Sequence, residues 1–410
     1  MAHGKVSVSS LNQYQSDINE VERRLVFIGV TSVVALQNTV TALSARTDLE
    51  ALFTPSAKAV QKEVEDVAPK TAKAKKAAEE AKQAEPVVLA SSEPEWSLQV
   101  LQAAQLNAGQ NWTASFVGIA ANGDWKAALD AANKIQSFEG VVVLNPIAAQ
   151  EDINAMRDKL ASVEAKQARF MFGMMCLAPI GSQTWAEYKT KASELITGAK
   201  AERVLIVPSL LGADIGVLAG RLCNRSVTIA DSPMRYKTGP LLGITGVLPK
   251  DSANKEMPIE LLSELDSMRY STPQDYPGEE GWYWGDGNTL DSETGDYKII
   301  EVLRPVLKAC RRVYKIAIPT IADRSLNSSP SSVAINKKLY MKPLLDMAAP
   351  VVINNVPFPG EIQAPKDSSV EINWVNDKAT QIYITVCPVG SQKDITIGVG
   401  VDKSRQGGES

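Results

Sequence analysis

Between Asn111 and Asn224, apolar runs too short to be helices alternate with amphipathic stretches too long to be strands. This alternation restricts the fold more than any other feature of the chain. NWTASFVGI reads as a strand, DWKAALDAANKI as a helix, GVVVLNPI as a buried strand and EDINAMRDKLASVEAKQ as a helix. RFMFGMMCLAPI, TWAEYKTKASELITGA, ERVLIVPSL and GADIGVLAGRLCN then repeat strand, helix, strand and helix. Strands apolar on both faces, separated by helices of about ten residues or more, predict βαβ units around a mostly parallel sheet covered on both sides. RRLVFIGV, ending at Val30, adds another strand apolar enough to be central. An α/β domain is therefore expected over residues 23–249.

With 410 residues, one such core does not account for the chain, and a second domain is expected. From about residue 250 to 390 the character changes to α+β. An aromatic strand and an acidic loop lead to a second strand and a helix through Arg311 and Arg312. Another helix, NKKLYMKPLLDMA, is perturbed by Pro343, and the strands VEINWVN, QIYITVCPV and DITIGVGVDKS follow. Residues 54–92 stand apart, rich in Ala, Lys and Glu with no wide apolar stripe and broken by Pro69, and read as a solvated insertion.

The chemistry on offer is thin. The only histidine is His3, which removes Ser-His-Asp and Cys-His triads and His-dependent zinc sites. A net charge of −4 with both signs interspersed lacks the basic surplus of a nucleic-acid binder. Cys176, Cys223, Cys310 and Cys387 show no paired spacing and no secretory leader precedes them, so they are expected to be reduced thiols in a cytoplasmic protein. No apolar run reaches the ~18 residues of a membrane span, so no membrane insertion is expected. Gly212, Gly216 and Gly220 match no phosphate-loop or dinucleotide pattern and read as small residues permitting close packing of a helix. Asp286, Asn288, Asp291, Glu293 and Asp296 lack calcium-loop spacing and read as a hairpin loop. No cofactor and no metal is expected. A carboxylate- or lysine-dependent α/β enzyme, with a pocket at the C-terminal ends of the parallel strands, stays open as the alternative.

The segment GRLCNRSVTIADSPMRYKTGPLLG is dense in charge: Arg225, Asp231, Arg235 and Lys237 are read as pairing across a domain or subunit boundary where the chain returns from the α/β domain. Asp231 or Ser232 reads as the cap of a helix or turn, and Cys223 as a buried small hydrophobe. At the termini, Val6 and Val8 alternate with serines, while Ile395, Ile397, Val399 and Val401 share one face of a strand ~23 Å long at the usual rise of ~3.3 Å per residue. Such a strand is either the edge of its own sheet or a donor to another subunit.

GWYWGDGNTLDSETGDYKIIEVLRPVLKACRRVY resembles the signature of contractile tail sheath proteins of phages and phage-like particles, with Trp284, Gly285, Thr289, Leu290 and Arg304 at the matching places. LNAGQNW, the charged segment above and IADRSLNSSPSSVAINKKLYMKPLL are similar to one subgroup of them. The likeness spans nearly the whole chain, the insertion at 54–92 excepted.

What the resemblance implies is a structural subunit and no enzyme. Its α/β domain would lie outward and an α+β domain shared among sheaths, residues 250–390, inward. Extended arms, residues 1–22 and 391–410, would add strands to neighbouring subunits. Partners would be further copies in hexameric rings and a helical sheath, the tail tube, the baseplate and the tail terminator. Such a subunit is found in the host cytoplasm during assembly and then in a virion tail or phage-tail-like particle. Lys337, Lys338, Lys342, Arg311 and Arg312 are the candidate tube contacts by charge and placement.

Overall fold

The computed structural model describes residues 21–54, 95–244, 246–376 and 378–399. Val6, Val8, Val401 and nearly all of the Ala/Lys/Glu insertion lie outside the described residues.

Six strands form the main sheet in the order β2-β3-β1-β4-β5-β6. They are β1 (Leu25–Val30), β2 (Val40–Ser44), β3 (Thr113–Ile119), β4 (Gly140–Ile147), β5 (Phe172–Leu177) and β6 (Val204–Pro208). All neighbours are parallel except β2, which runs antiparallel to β3 at one edge. Every strand expected from the alternation is present; β2 was not expected, because VTALS is short and mostly half-exposed.

The helices follow the same alternation. They are α1 (Leu49–Phe53), α2 (Trp96–Ala108), α3 (Trp125–Ile135), α4 (Gln150–Gln167), α5 (Trp185–Ile196) and α6 (Asp214–Cys223). Polar side chains start several of them. Asp124 accepts the Lys126 amide ahead of α3, and Thr184 and Glu187 cap α5 reciprocally. Alternate strand residues face opposite ways, so the sheet has two cores. Phe27, Phe116, Val142, Met174 and Leu205 pack under α2 and α6, while Ile28, Val117, Val143, Met175 and Ile206 pack under α3, α4 and α5.

Beyond the sheet lie α7 (Glu260–Ser267), the two-residue strands β7 (Pro273–Gln274) and β8 (Tyr283–Trp284), and the long α8 (Ile300–Ala317). Leu261, Leu265, Tyr270 and Leu290, in the region the composition shift assigns to the second domain, join the second sheet core. Ile300, Leu303 and Leu307 of α8 join the first. The helix α9 (Pro330–Ala348) runs five residues past Pro343. Two hairpins follow, β9 (Val351–Ile353) with β10 (Val356–Phe358), and β11 (Val370–Asn376) with β12 (Ala379–Ile384). A third core, with Ala309, Tyr340, Leu344, Met347, Val370 and Ile372, joins α8 and α9 to the last hairpin.

Candidate assembly site

The β11–β12 hairpin is a complete sheet of two strands among the described residues. Val370 and Ile372 are buried on its inner face, with Ile382 and Ile384 packed beside them, and its outer face carries the exposed Val375 and Tyr383. Its two outer edges therefore present unpaired main-chain groups, a template for strand addition. Past β12 the chain follows residues 361–363: the Gln363 amide donates to the Cys387 carbonyl at 2.8 Å and the Val389 amide to the Glu361 carbonyl at 3.2 Å. Further on, Ile395, Ile397 and Val399 are 62 %, 78 % and 93 % exposed, so this alternating apolar face is not buried in its own subunit.

Trp284, Gly285, Thr289, Leu290 and Arg304, the residues on which the resemblance rests, build a joint. Trp284 is fully buried and its indole N–H donates to the Ser271 hydroxyl at 3.2 Å. A side chain on Gly285 would begin 2.8 Å from the Thr272 carbonyl oxygen. The Thr289 hydroxyl donates to the Tyr297 carbonyl at 2.6 Å and closes the acidic loop. Asp291 accepts from the Ser292 and Tyr297 amides within that loop, which is a turn device. The Leu290 amide donates to Val204 of β6 at 2.9 Å, and the Leu290 carbonyl accepts from Ala201 at 2.7 Å. The turn is thus stitched to the end of the main sheet.

Arg304 completes the joint. It is 2 % exposed and meets both oxygens of Glu139, itself fully buried, at 2.8 Å, with a further N–H to the Leu222 carbonyl at 2.9 Å. Burial pushes the Glu139 carboxyl up, but the Arg304 charge and hydrogen bonds outweigh it and hold the group down at about 2. Glu139 precedes β4 and Arg304 sits on α8, so the pair fastens the long helix to the sheet. Arg304 stands out in the sequence only through the resemblance, and Glu139, its partner 165 residues away, does not stand out at all.

The charged segment 220–243 is organised by a residue not singled out from the sequence. Arg221, 5 % exposed, spreads its guanidinium over the carbonyls of Pro233, Arg235 and Gly239 at 2.6, 2.9 and 2.9 Å. Asp231 accepts from the amide and hydroxyl of Thr228, so it caps a turn rather than a helix. Arg235 pairs with Asp231 at 3.5 Å and lies over the Phe358 ring of β10 at 5.0 Å, a contact that does reach the C-terminal hairpins. Arg225 donates to the Asn111 carbonyl at 3.1 Å, and Lys237 is exposed in a short 3-10 turn.

Among the basic candidates, Arg311 is corrected: it is 9 % exposed and spent inside the subunit. It donates to Glu22 at 3.2 and 3.0 Å and to the Phe170 carbonyl at 2.7 Å. Freeing it for a tube would strand a buried carboxylate. Arg312 and Lys337 are half-buried, whereas Lys338 and Lys342 project from α9 beside the exposed Ile335, Leu339 and Leu345.

A cavity of about 570 Å³ does lie at the C-terminal ends of the parallel strands, lined by Val30, Thr31, Ser32, Glu95, Trp96 and Asn145 among others. Among the described residues its one ionisable side chain, Glu95, is committed to the Thr31 hydroxyl at 2.8 Å and the Ser32 amide at 2.7 Å. Among the described residues that line it, no acid and base converge. Among the described residues no helix is long and apolar enough to cross a membrane.

Two family models match in succession, the DUF2586 N-terminal domain over residues 3–288 and the DUF2586 C-terminal domain over residues 296–404. The chain is 34 % identical, over 405 residues and 97 % of both lengths, to a protein of Haemophilus phage HP1 (strain HP1c1) assigned as a tail sheath protein. Its fold is similar to a chain of the contracted sheath complex of the PVC extracellular contractile injection system, at TM-score 0.59 and 11 % identity, covering 99 % of each. It is also similar to a chain of the anti-feeding prophage baseplate, at TM-score 0.58 and 13 % identity, covering 98 % of this chain and 99 % of that one. A sheath tail protein from Desulfitobacterium hafniense matches at TM-score 0.54 and 11 % identity over 95 % of this chain and 98 % of its own. The chain belongs to the DUF2586 family and is a contractile tail sheath protein, a structural protein rather than an enzyme.

Proposed function

We propose that the chain polymerises as stacked hexameric rings around a tail tube, each copy linked to its neighbours by strands from its terminal arms. Contraction of the array then drives the tube through a target envelope. The observation that carries this reading is a hairpin that has no third strand on either edge among the described residues, in the same subunit as a C-terminal segment whose alternating Ile395, Ile397 and Val399 face solvent. Strand addition satisfies the edge and buries that face at once. The N-terminal arm, residues 1–22, joins the same arrangement.

In this reading the main sheet and its helices lie outward and the third core lies inward, toward the tube. The exposed face of α9, with Lys338 and Lys342 set among Ile335 and Leu339, approaches the tube. Baseplate and tail terminator bound the array, which forms in the host cytoplasm and ends in a virion tail or phage-tail-like particle. The extended sheath is a kinetically trapped state released at the baseplate, and the burial gained on contraction drives the change.

The test is electron microscopy of purified full-length protein beside a variant lacking residues 395–410. The full chain is expected to form hollow striated tubes, and the truncated one to remain as folded, soluble subunits. Normal tubes from the truncation would overturn the arm model.

A further inference from the structure

Four ion pairs leave one stripe of α8. Glu301, Arg304, Lys308 and Arg311 follow each other at spacings of three or four, which places them on a single helical face. Their partners come from four separate parts of the chain: Lys393, Glu139, Glu361 and Glu22. Glu22 stands three residues ahead of β1, at the root of the N-terminal arm. Lys393 stands at the root of the C-terminal arm. Among the described residues, no hydrogen bond or ion pair holds residues 394–399 to the body beyond it.

We propose that α8 is a tie between the two chain ends, fixing the root of each arm to the body about 15 Å apart along its axis, at 1.5 Å per residue. A pull on one arm then passes to the other through one helix, continuous from Ile300 to Ala317 across Pro305. The inference rests on the reading above that the arms link neighbouring copies.

Each anchor is built for a fixed direction. Lys393 lies between Asp286 and Glu301; burial raises the Glu301 carboxyl above its ordinary value, and the Lys393 charge and hydrogen bond work against that. Lys308 holds Glu361 at 2.6 Å, and the Glu361 carbonyl in turn accepts the Val389 amide, so the C-terminal arm is tied twice within five residues of its exit. At the other end Arg311 directs two N–H groups to Glu22 and a third to Phe170. Between them the two-point contact of Arg304 with Glu139 keeps the helix from sliding on the sheet. None of these partners is near another in sequence, so the convergence on one helix is a property of the fold.

Lys393→Met keeps the aliphatic stem and removes the charge; Glu22→Gln keeps the shape at the other root. Hydrogen exchange on the unassembled subunits and tube length in the microscope are the two readouts, with circular dichroism confirming a folded body. In Lys393→Met the peptide containing Val389 is expected to exchange roughly tenfold faster and tubes to be shorter, with Lys393→Arg restoring both. Glu22→Gln is expected to shorten tubes while leaving exchange at Val389 unchanged. Unchanged exchange in Lys393→Met would overturn the anchor. Faster exchange with tubes of normal length in both variants would overturn the tie. If the 395–410 deletion builds normal tubes, it is the linking reading that fails, and the exchange result separates that case from a failed anchor.

Discussion

A carboxylate with no exposure stays charged at Glu139 because Arg304 meets both of its oxygens and Arg23 donates a main-chain N–H. Its pKa of about 2 lies below the ordinary 4.5, so on acidification the unfolded chain takes up this proton first. The stability the pair supplies is therefore complete above about pH 5, is lost between there and about pH 2, and is absent below. Removing one partner of a buried pair leaves the other charge unmatched, a cost of about 3–5 kcal/mol. Glu139→Gln is accordingly expected to lower the unfolding free energy at pH 7 by about 3 kcal/mol and to flatten its decline across the acid window. Urea titrations at a series of pH values check this. Parallel losses in wild type and variant would assign the acid sensitivity to another group.

At the scale of elements, α2 and α6 approach each other backbone to backbone. A Cβ on Gly216 would begin 2.2 Å from the Val100 carbonyl oxygen, and one on Gly220 2.3 Å from that of Ala104. Gly212, grouped with them from the four-residue spacing, instead precedes α6 at φ +125 with nothing within 4 Å, so the packing stripe is two glycines long. Alanine gains about 1 kcal/mol over glycine in helix propensity, but here the obstacle is backbone, which a rotamer change does not relieve. Gly216→Ala is therefore expected to destabilise by about 1–3 kcal/mol in thermal melts, the cost of overpacking. A neutral or stabilising result would mean the two helices separate easily.

The same pair of helices shows how far sequence reasoning reaches. The glycines of α6 announced a close neighbour, and the apolar runs of β3 to β6 announced a covered sheet, because burial on both faces leaves a continuous pattern in the chain. The neighbour itself, α2, carries Leu98, Leu101 and Ala104 toward the sheet, yet it lies between the insertion at 54–92 and the strand NWTASFVGI and is assigned no element from the sequence. Glu139, Arg221 and Glu301 were invisible for another reason. Each is a lone charge whose meaning is set by a partner or a carbonyl cage that only the tertiary fold supplies.

For the molecule as a whole, the boundary between the two family models falls at residues 288–296, directly ahead of α8. Packing crosses that boundary. Ile300, Leu303 and Leu307 lie in the first sheet core, Ala309 lies in the third core, and Arg304 and Arg311 are paired with residues of the N-terminal half. One helix thus belongs to both halves, and separating them would expose apolar surface and strand two buried charge pairs. The halves should accordingly unfold together, as the proposed contraction by near-rigid movement of subunits requires. Calorimetry of the full chain is expected to give a single transition whose calorimetric and van't Hoff enthalpies agree. Arg304→Met, which cuts the pair in the second turn of α8, is expected to broaden it or split it in two. Two resolved transitions in the unmodified chain would mean that the halves are coupled only loosely, and contraction would then have to be described with movement inside the subunit as well as between subunits.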